Sequence, residues 1–369
     1  MRTMRVDVIS ERRTTQGIAL FVCAIFAVIA ANGYAQTDAQ TADMSDSPVT
    51  VFGFGEFGYL SNTDVDPNGF VIGQAVGHLS ASLAERISLF SEATVSARDK
   101  EYKIELERLF VRYDHSDAAK FSVGRFHAPL GYWNTAYHHG AWLQTAAARP
   151  FVIKFGSQVI PIHFVGLVFE GNVPSGDWSI GYAAGVGNGR SDPISRAGDA
   201  GDINNRRAWF AGVRASSFGG IRIGATVYSD VASPEVGPEV DETIISGYAV
   251  YDNGPIEIIG EYHYLDHEAR TGPEQDTSNG YYLQFGYRFP SRYPLTPYAR
   301  YEEVDVGDDD PLLQGRGLDQ NAKVIGLRYD LAATVALTGE FRREEFADSG
   351  DAENIFFIQL SFVVGGGTN

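Results

Sequence analysis

From Val49 onward the chain alternates apolar residues with small or polar ones, in segments of about ten residues, the length a tilted strand needs to cross a bilayer. GIRIGATVYSD (220–230), IEIIGEYHYLD (256–266), YYLQFGYRF (281–289), ATVALTGEFRR (333–343) and NIFFIQLSFVV (354–364) carry the pattern. Successive side chains of a strand point to opposite faces, so each segment has one apolar face and one wet face. The 3.6-residue period of an amphipathic helix is almost absent.

Sixteen such segments begin near residues 50, 71, 86, 103, 119, 161, 177, 206, 220, 242, 255, 279, 296, 320, 333 and 354. Tight turns at 83–86, 115–117, 174–176, 217–220, 252–254 and 331–333 alternate with longer polar loops at 61–69, 126–160, 188–205, 230–241, 266–278, 305–319 and 346–353. Asp252-Asn253-Gly254 is hairpin chemistry, because Asn and Gly tolerate positive φ. A sandwich has no reason to gather its long loops at one end. A transmembrane barrel does, and closure leaves no unpaired backbone edge in hydrocarbon. The expected fold is an all-β, transmembrane antiparallel β-barrel of about sixteen strands, with long extracellular loops and short periplasmic turns.

Ahead of the alternating region, Arg2, Arg5, Arg12 and Arg13 precede an apolar run at 17–31, and small residues lead to Gly33-Tyr34-Ala35. A basic head, a short apolar stretch and a small-x-small exit read as a secretory signal. The run is too short for a spanning helix, which needs about 20 residues. The chain therefore divides into a signal peptide (1–35), a flexible leader (36–48) and an outer-membrane barrel (49–369). Cys23, the single cysteine, lies in the first of these, so no disulfide and no cysteine-based metal centre is expected. With 29 Lys+Arg against 47 Asp+Glu, a formal charge of −18, a nucleic-acid partner is excluded.

Aromatic residues fall near segment ends: Phe57 and Tyr59, Tyr113, Tyr262 and Tyr264, Tyr287 and Phe289, Tyr298 and Tyr301, and Phe341. They are expected to form the two girdles at headgroup level. Giving the more apolar register to lipid leaves a charged face for the lumen. It holds Arg98, Arg108, Arg112, Arg214, Arg222, Arg288, Arg300, Arg328 and Arg342. Opposite in sign are Glu56, Glu92, Glu170, Glu257, Glu261, Glu302 and Glu340, joined by His263. An Arg facing lipid at the midplane costs about 2–4 kcal/mol. These groups therefore face water, and a barrel of this size encloses an aqueous channel.

In these features the chain resembles bacterial outer-membrane porins. Its last segment, Phe357-Ile358-Gln359-Leu360-Ser361-Phe362, looks like the strand that the barrel-assembly machinery reads in that class, although seven residues follow Phe362. VGRFHAPLG (123–131) and Arg149-Pro150 loosely resemble the phosphate-selective porin O/P group, whose anion preference depends on basic loop residues converging on the pore. After Arg125 the corresponding loop here holds only Arg149 and Lys154 as basic groups. The resemblance implies that the 126–160 loop, third among the outer loops, folds inward and sets a constriction. Its candidate residues are Arg125, His127, Tyr132, Trp133, Tyr137, His138, His139, Trp142, Arg149 and Lys154. It implies outer-membrane lipid, lipopolysaccharide and the assembly machinery as partners, and a homotrimer as the assembly.

Three other patterns are set aside. GFGEFG (53–58) matches the dinucleotide fingerprint in letters, but no helix follows it. His138-His139, near His127 and His163, carry no expected metal, because adjacent histidines point apart and no carboxylate lies within 126–160. Asp266-His267 lacks the nucleophile and oxyanion site of a hydrolase. The acidic Asp308-Asp309-Asp310 run is expected to be a solvated loop. No cofactor and no catalysis are expected. The chain is read as a bacterial outer-membrane porin for passive diffusion of small hydrophilic solutes or ions. An anion- or phosphate-selective porin and an occluded, surface-binding barrel are the alternatives.

Overall fold

The computed structural model describes residues 49–62, 68–98, 101–138, 140–154, 156, 158–190, 193–196, 198–290, 294–347 and 349–365. Residues 1–48, where a signal peptide and a leader are expected, His139 and the Arg98 side chain lie outside the described residues.

Sixteen strands follow one another in order. The first five are β1 (Val49–Asn62), β2 (Gly69–Ala84), β3 (Ile87–Arg98), β4 (Glu101–Ser116) and β5 (Ala119–His127). After a long connection come β6 (His163–Ser175), β7 (Trp178–Asn188), β8 (Arg207–Ser217), β9 (Ile221–Ala232), β10 (Val240–Asn253) and β11 (Ile256–Ala269). The last are β12 (Gln275–Tyr287), β13 (Leu295–Asp305), β14 (Gln320–Ala332), β15 (Val335–Phe346) and β16 (Ala352–Gly365). Each start falls within four residues of the position read from the alternation, β12 being the furthest off at 275 against 279.

Every strand pairs antiparallel with its sequence neighbours, and β1 returns to β16 from Phe52↔Gly365 to Asn62↔Ile355, which closes the barrel. The GFGEFG stretch runs along β1, paired on both sides. Two loops are shorter than the sequence suggests. β9 continues to Ala232, β11 reaches Ala269 and β12 begins at Gln275. There the apolar–polar alternation fades while the backbone ladder continues, with Asp241 opposite Glu268 and the Arg270 guanidinium on Asp241 at 2.6 Å. Polarity on both faces is permitted once a strand rises above hydrocarbon, so alternation marks the membrane span and understates the strand.

The two faces separate cleanly. On β15, Ala336, Thr338, Glu340, Arg342 and Glu344 are buried, while Leu337, Phe341 and Arg343 are exposed. On β11, Glu257, Ile259, Glu261, His263, Leu265 and His267 point one way and Ile258, Tyr262 and Tyr264 the other. Exposed apolar residues recur around the whole circumference, among them Phe57, Leu109, Val213, Ile245, Leu283 and Ile325. Phe57 stacks on Phe362 across the β1–β16 closure, ring centroids 5.8 Å apart. Of the predicted girdle residues, Phe57, Tyr59, Tyr113, Tyr262, Tyr264, Phe289, Tyr301 and Phe341 are exposed. Tyr298 is the correction. It is 4% exposed and points inward, its hydroxyl donating to Glu340 at 2.7 Å. Parity explains it, since Tyr298 shares the register of Arg300 and Glu302.

No helix among the described residues is long and apolar enough to cross a membrane, which leaves crossing by strands open. Ile325 lies midway along β14 and is 62% exposed. Ile325→Arg is expected to destabilise the barrel in phospholipid vesicles by about 2–4 kcal/mol, read from urea unfolding, whereas Lys323→Arg nearer the rim leaves the midpoint unchanged.

Candidate functional site

The 34 or so residues between β5 and β6 would, as an ordinary surface loop, expose Leu130, Trp133, Val152, Ile153, Val159 and Ile160 to water. Instead each of these is at most 1% exposed. The segment touches β10 through Tyr132–Tyr248, β11 through Glu261, β12 through Trp133–Tyr282, β13 through Glu302, β14 through Arg328, β15 through Glu340 and β16 through Gln359. A single segment reaching seven consecutive strands of a closed cylinder must lie inside it.

Its backbone is held by the charged groups of that wall. Trp133 N–H donates to Glu261 at 2.7 Å and Phe151 N–H to Glu302 at 2.9 Å. Ala147 and Ala148 N–H both donate to one oxygen of Glu340, at 3.0 and 3.3 Å, and Thr145 Oγ1 donates to Glu257 at 2.8 Å. In the other direction Arg300 donates to the Ala148 carbonyl at 3.0 Å and Arg328 to the Trp142 carbonyl at 2.8 Å. A hydrogen bond to a charged group contributes about 1.5–3 kcal/mol, and leaving the charge bare in the same place costs more than that. Helical content is small, one turn at Trp133–Ala136 and a 3-10 turn at Phe151–Ile153. The loop's amides are therefore available to the wall.

The root of the loop is fastened by Asn134, which is fully buried. Its Nδ2 donates to the carbonyls of Ala128 at 2.7 Å and Ile162 at 3.1 Å, and its Oδ1 faces His138 Nδ1 at 2.7 Å. Ala128 N–H also donates to Ile162. Gly131 has φ +79°, and a Cβ there would collide with the Glu261 carboxylate. Only glycine lets the backbone settle onto that group at this φ. Tyr132, Trp133 and Tyr137 form an edge-on aromatic cluster, centroids 5.2–5.4 Å apart. Burial, and the nearby Tyr132 and Glu257, push the Tyr137 hydroxyl well above its ordinary pKa, so it stays neutral.

Two cavities flank the loop. One, of about 300 Å³, separates Pro129 and Thr135 from the β4–β8 wall, where Arg108, Arg112, Arg214 and Glu170 project among Phe110, Phe126 and Phe210. The second, of about 500 Å³, lies between Tyr137, His138, Arg149 and Lys154 and the wall of β1, β2 and β16, with Glu56 and Gln359. The charges differ between the walls. Glu257, Glu261, Glu302 and Glu340 are occupied by the loop and by arginines, Arg342 reaching Glu302 and Glu344 and Arg288 reaching Glu257 at 2.8 Å. His263 is buried at 3.6 Å from Glu261. On the far wall the Arg108 and Arg112 side chains are 26% and 33% exposed, whereas the Glu92 that pairs with Arg108 is wholly buried. Arg214 bonds the neutral Asn172 amide at 3.2 Å. Arg222 lies 3.7 Å from Asp252.

Most residues anticipated for the inward loop do come together: Tyr132, Trp133, Tyr137 and His138 in its first part, and Arg149 bonding the His138 and Ile153 carbonyls. Trp142 meets Arg328 only through its carbonyl, and Lys154 lies over the Phe151 ring at 5.9 Å. Arg125 stands apart. It shares a face with its cross-strand partners Leu109 and Val165, and its guanidinium reaches Asp199 and the Glu107 carbonyl at the rim.

The structure places three features set aside in the sequence. His127, His138 and His163 converge, with one ligand nitrogen from each within 4.8 Å of the others. Carboxylates reach them from the strands, His163 Nε2 lying 2.8 Å from Glu107 and His127 Nε2 3.6 Å from Glu92. Second, Asp266 and His267 face opposite sides of β11; His267 is buried between Glu242 at 3.1 Å and Asp310 at 2.8 Å. Third, Asp310 is buried within the acidic run. Burial pushes its carboxyl upward, but hydrogen bonds from His267, Ser278 and the Leu313 amide outweigh that and hold it below the usual carboxylate range. Arg190 joins this network through Glu242 at 2.5 Å and so ties two outer loops to the rim.

No family model matches the sequence, and no curated protein matches it. Solved structures share its fold. An anion-selective porin from Comamonas acidovorans aligns at 12% identity and TM-score 0.59, over 85% of this chain and 99% of that one. The outer membrane channel DcaP of Acinetobacter baumannii gives 11%, 0.56, 88% and 100%. The trimer form of OmpT, an outer membrane protein of Vibrio cholerae, gives 12%, 0.55, 85% and 98%.

Asn134→Ala removes two bonds from buried carbonyls, at a cost of about 1–3 kcal/mol. Protease cleavage within 128–162 of the folded barrel is expected to accelerate roughly 5- to 150-fold, the range those energies correspond to, with heat-modifiable gel mobility retained. The chain at this point is a closed sixteen-stranded antiparallel barrel with the architecture of outer-membrane porins.

Proposed function

We propose that the protein is an outer-membrane channel for passive diffusion of small hydrophilic solutes. The observation that carries this reading is a loop folded inside a closed barrel, flanked by cavities with charged walls. A barrel whose outward belt is apolar and whose inner wall carries arginine and glutamate separates lipid from water by construction. The partners proposed with this reading rest on the resemblance to porins. The belt sits in outer-membrane lipid, acidic outer loops face lipopolysaccharide, and the barrel-assembly machinery inserts the chain after residues 1–35 direct export. The trimer recorded for the Vibrio OmpT is the precedent for a homotrimer.

The finer reading is a preference for anions, a phosphate group among them. It is favoured by the excess of guanidinium at the first cavity: Arg108, Arg112 and Arg214 line it against one carboxylate, Glu170, and the Glu92 that pairs with Arg108 is buried behind it. Acidic loops at the mouth enrich cations there, so the inner arginines would set the preference at the narrower point. The name of the Comamonas porin agrees with this reading.

Reversal potentials across planar bilayers in a potassium chloride gradient test it. Chloride is expected to permeate faster than potassium, and the Arg112→Gln, Arg214→Gln pair to lower that ratio severalfold with conductance retained. A reversal potential near zero removes the anion preference. Absence of any conductance favours an occluded barrel and removes the channel itself.

A further inference from the structure

The three histidines at the root of the inward loop belong to no part of the channel argument. His127 ends β5 and His163 begins β6, and the two are paired in register. His138 comes from the loop between them, positioned by Asn134. Its ring stacks on His127 with centroids 3.5 Å apart and meets His163 edge-on at 5.1 Å. Clustering imidazoles is unfavourable if they protonate together, and Arg108 is also nearby through Glu92. Two buried carboxylates, Glu92 and Glu107, stand against the cluster. Thr94 Oγ1 donates to Glu107 at 2.9 Å and fixes it.

From this arrangement we infer that His127, His138 and His163 form a site for a divalent transition-metal ion of the zinc class, with Glu107 beside it. Imidazole nitrogens are preferred ligands for Zn, Co, Ni and Cu, and metal-bound histidines are commonly oriented by a carboxylate or an amide on the other ring nitrogen. Asn134 on His138 supplies such an orienting contact. Bonds of about 2.0–2.1 Å place tetrahedral ligand atoms roughly 3.4 Å apart. The observed nitrogens lie within 4.8 Å of one another, so binding would draw the three rings together. Glu107 would offset part of the ion's charge, Glu92 being paired with Arg108. Because the ligands come from both roots of the loop and from the first turn of chain folded back on them, the bound ion would clip the base of the loop in its inward position. His127 borders the first cavity and His138 the second, so the ion would sit between the two passages.

The experiment is titration of the refolded barrel with Co²⁺, read by visible ligand-field absorption, with Zn²⁺ as competitor. Saturation at one Co²⁺ per chain, displaced by Zn²⁺, is expected. Affinity should fall at least tenfold in His138→Gln, which keeps a polar group beside Asn134, and about tenfold in Glu107→Gln. The His127→Ala, His138→Ala, His163→Ala variant should remain unloaded, with folding checked by heat-modifiable migration, and His115→Ala at a distant turn should load normally. Zn²⁺ should also slow protease cleavage of 128–162 in the wild type alone. No Co²⁺ spectrum in the wild type, or an equal one in the triple variant, overturns the site. Neither readout requires conduction, so the outcome is independent of the channel reading.

Discussion

Every part of this structure depends on the backbone hydrogen bonds between β1 and β16. Fifteen hairpin-type pairings alone would leave two open edges, each a row of N–H and C=O groups with no partner in hydrocarbon. The Phe52↔Gly365 to Asn62↔Ile355 register removes both edges at once. Glycine in β1 serves that seam: Gly55 lies under the Phe362 ring and Gly58 under Phe357, where any larger side chain would meet the aromatic carbons. Once the seam is closed, side-chain alternation has only one consequence, an apolar exterior and a polar interior.

The same requirement, that buried polar groups be paired, governs the loop inside. A long segment with little secondary structure carries many unpaired amides and carbonyls, which is why loops generally run over surfaces. Here the inner wall substitutes for water. Glu261, Glu302 and Glu340 accept loop amides, and Arg300 and Arg328 donate to loop carbonyls. The wall from β11 to β15 is thus spent on holding the loop. On the wall from β4 to β8 the arginines pair with other wall groups and not with the loop, Arg108 with Glu92, Arg112 with Asp114 and Arg214 with Asn172, and they line the remaining cavity.

Much of this was legible in the sequence, and the misses have physical causes. Period-two alternation located all sixteen strands because it reports the lipid boundary directly; it ended early at β9 and β11 because those ladders outlast the bilayer. The even-numbered parity that marked Arg300, Glu302, Glu340 and Arg342 as inward also covered Tyr298, whose aromatic character had suggested a girdle. Register is invisible before pairing is known, and this hid the histidine cluster. His127 and His163 are separated by the whole loop, yet lie opposite one another across a single ladder. Their carboxylates come from β3 and β4, so a search within 126–160 could not find them. Asn134 gave no signal beyond being a polar residue in a stretch of small and aromatic ones. The Arg190–Glu242–His267–Asp310 network joins residues from two loops and two strands that no local motif connects.

A charged thiol reagent tests the central claim that the cavity beside the loop is an aqueous passage and the opposite face is not. Cys23 is the only cysteine. In a background without it, Val168→Cys would place a thiol in the first cavity and Ile325→Cys would place one on the apolar belt. An anionic methanethiosulfonate added to the water on one side of a planar bilayer should react at Val168→Cys and lower single-channel conductance, leaving Ile325→Cys unmodified. Rapid modification at Ile325→Cys, with Val168→Cys unreactive and its current unchanged, would contradict the assignment of inside and outside.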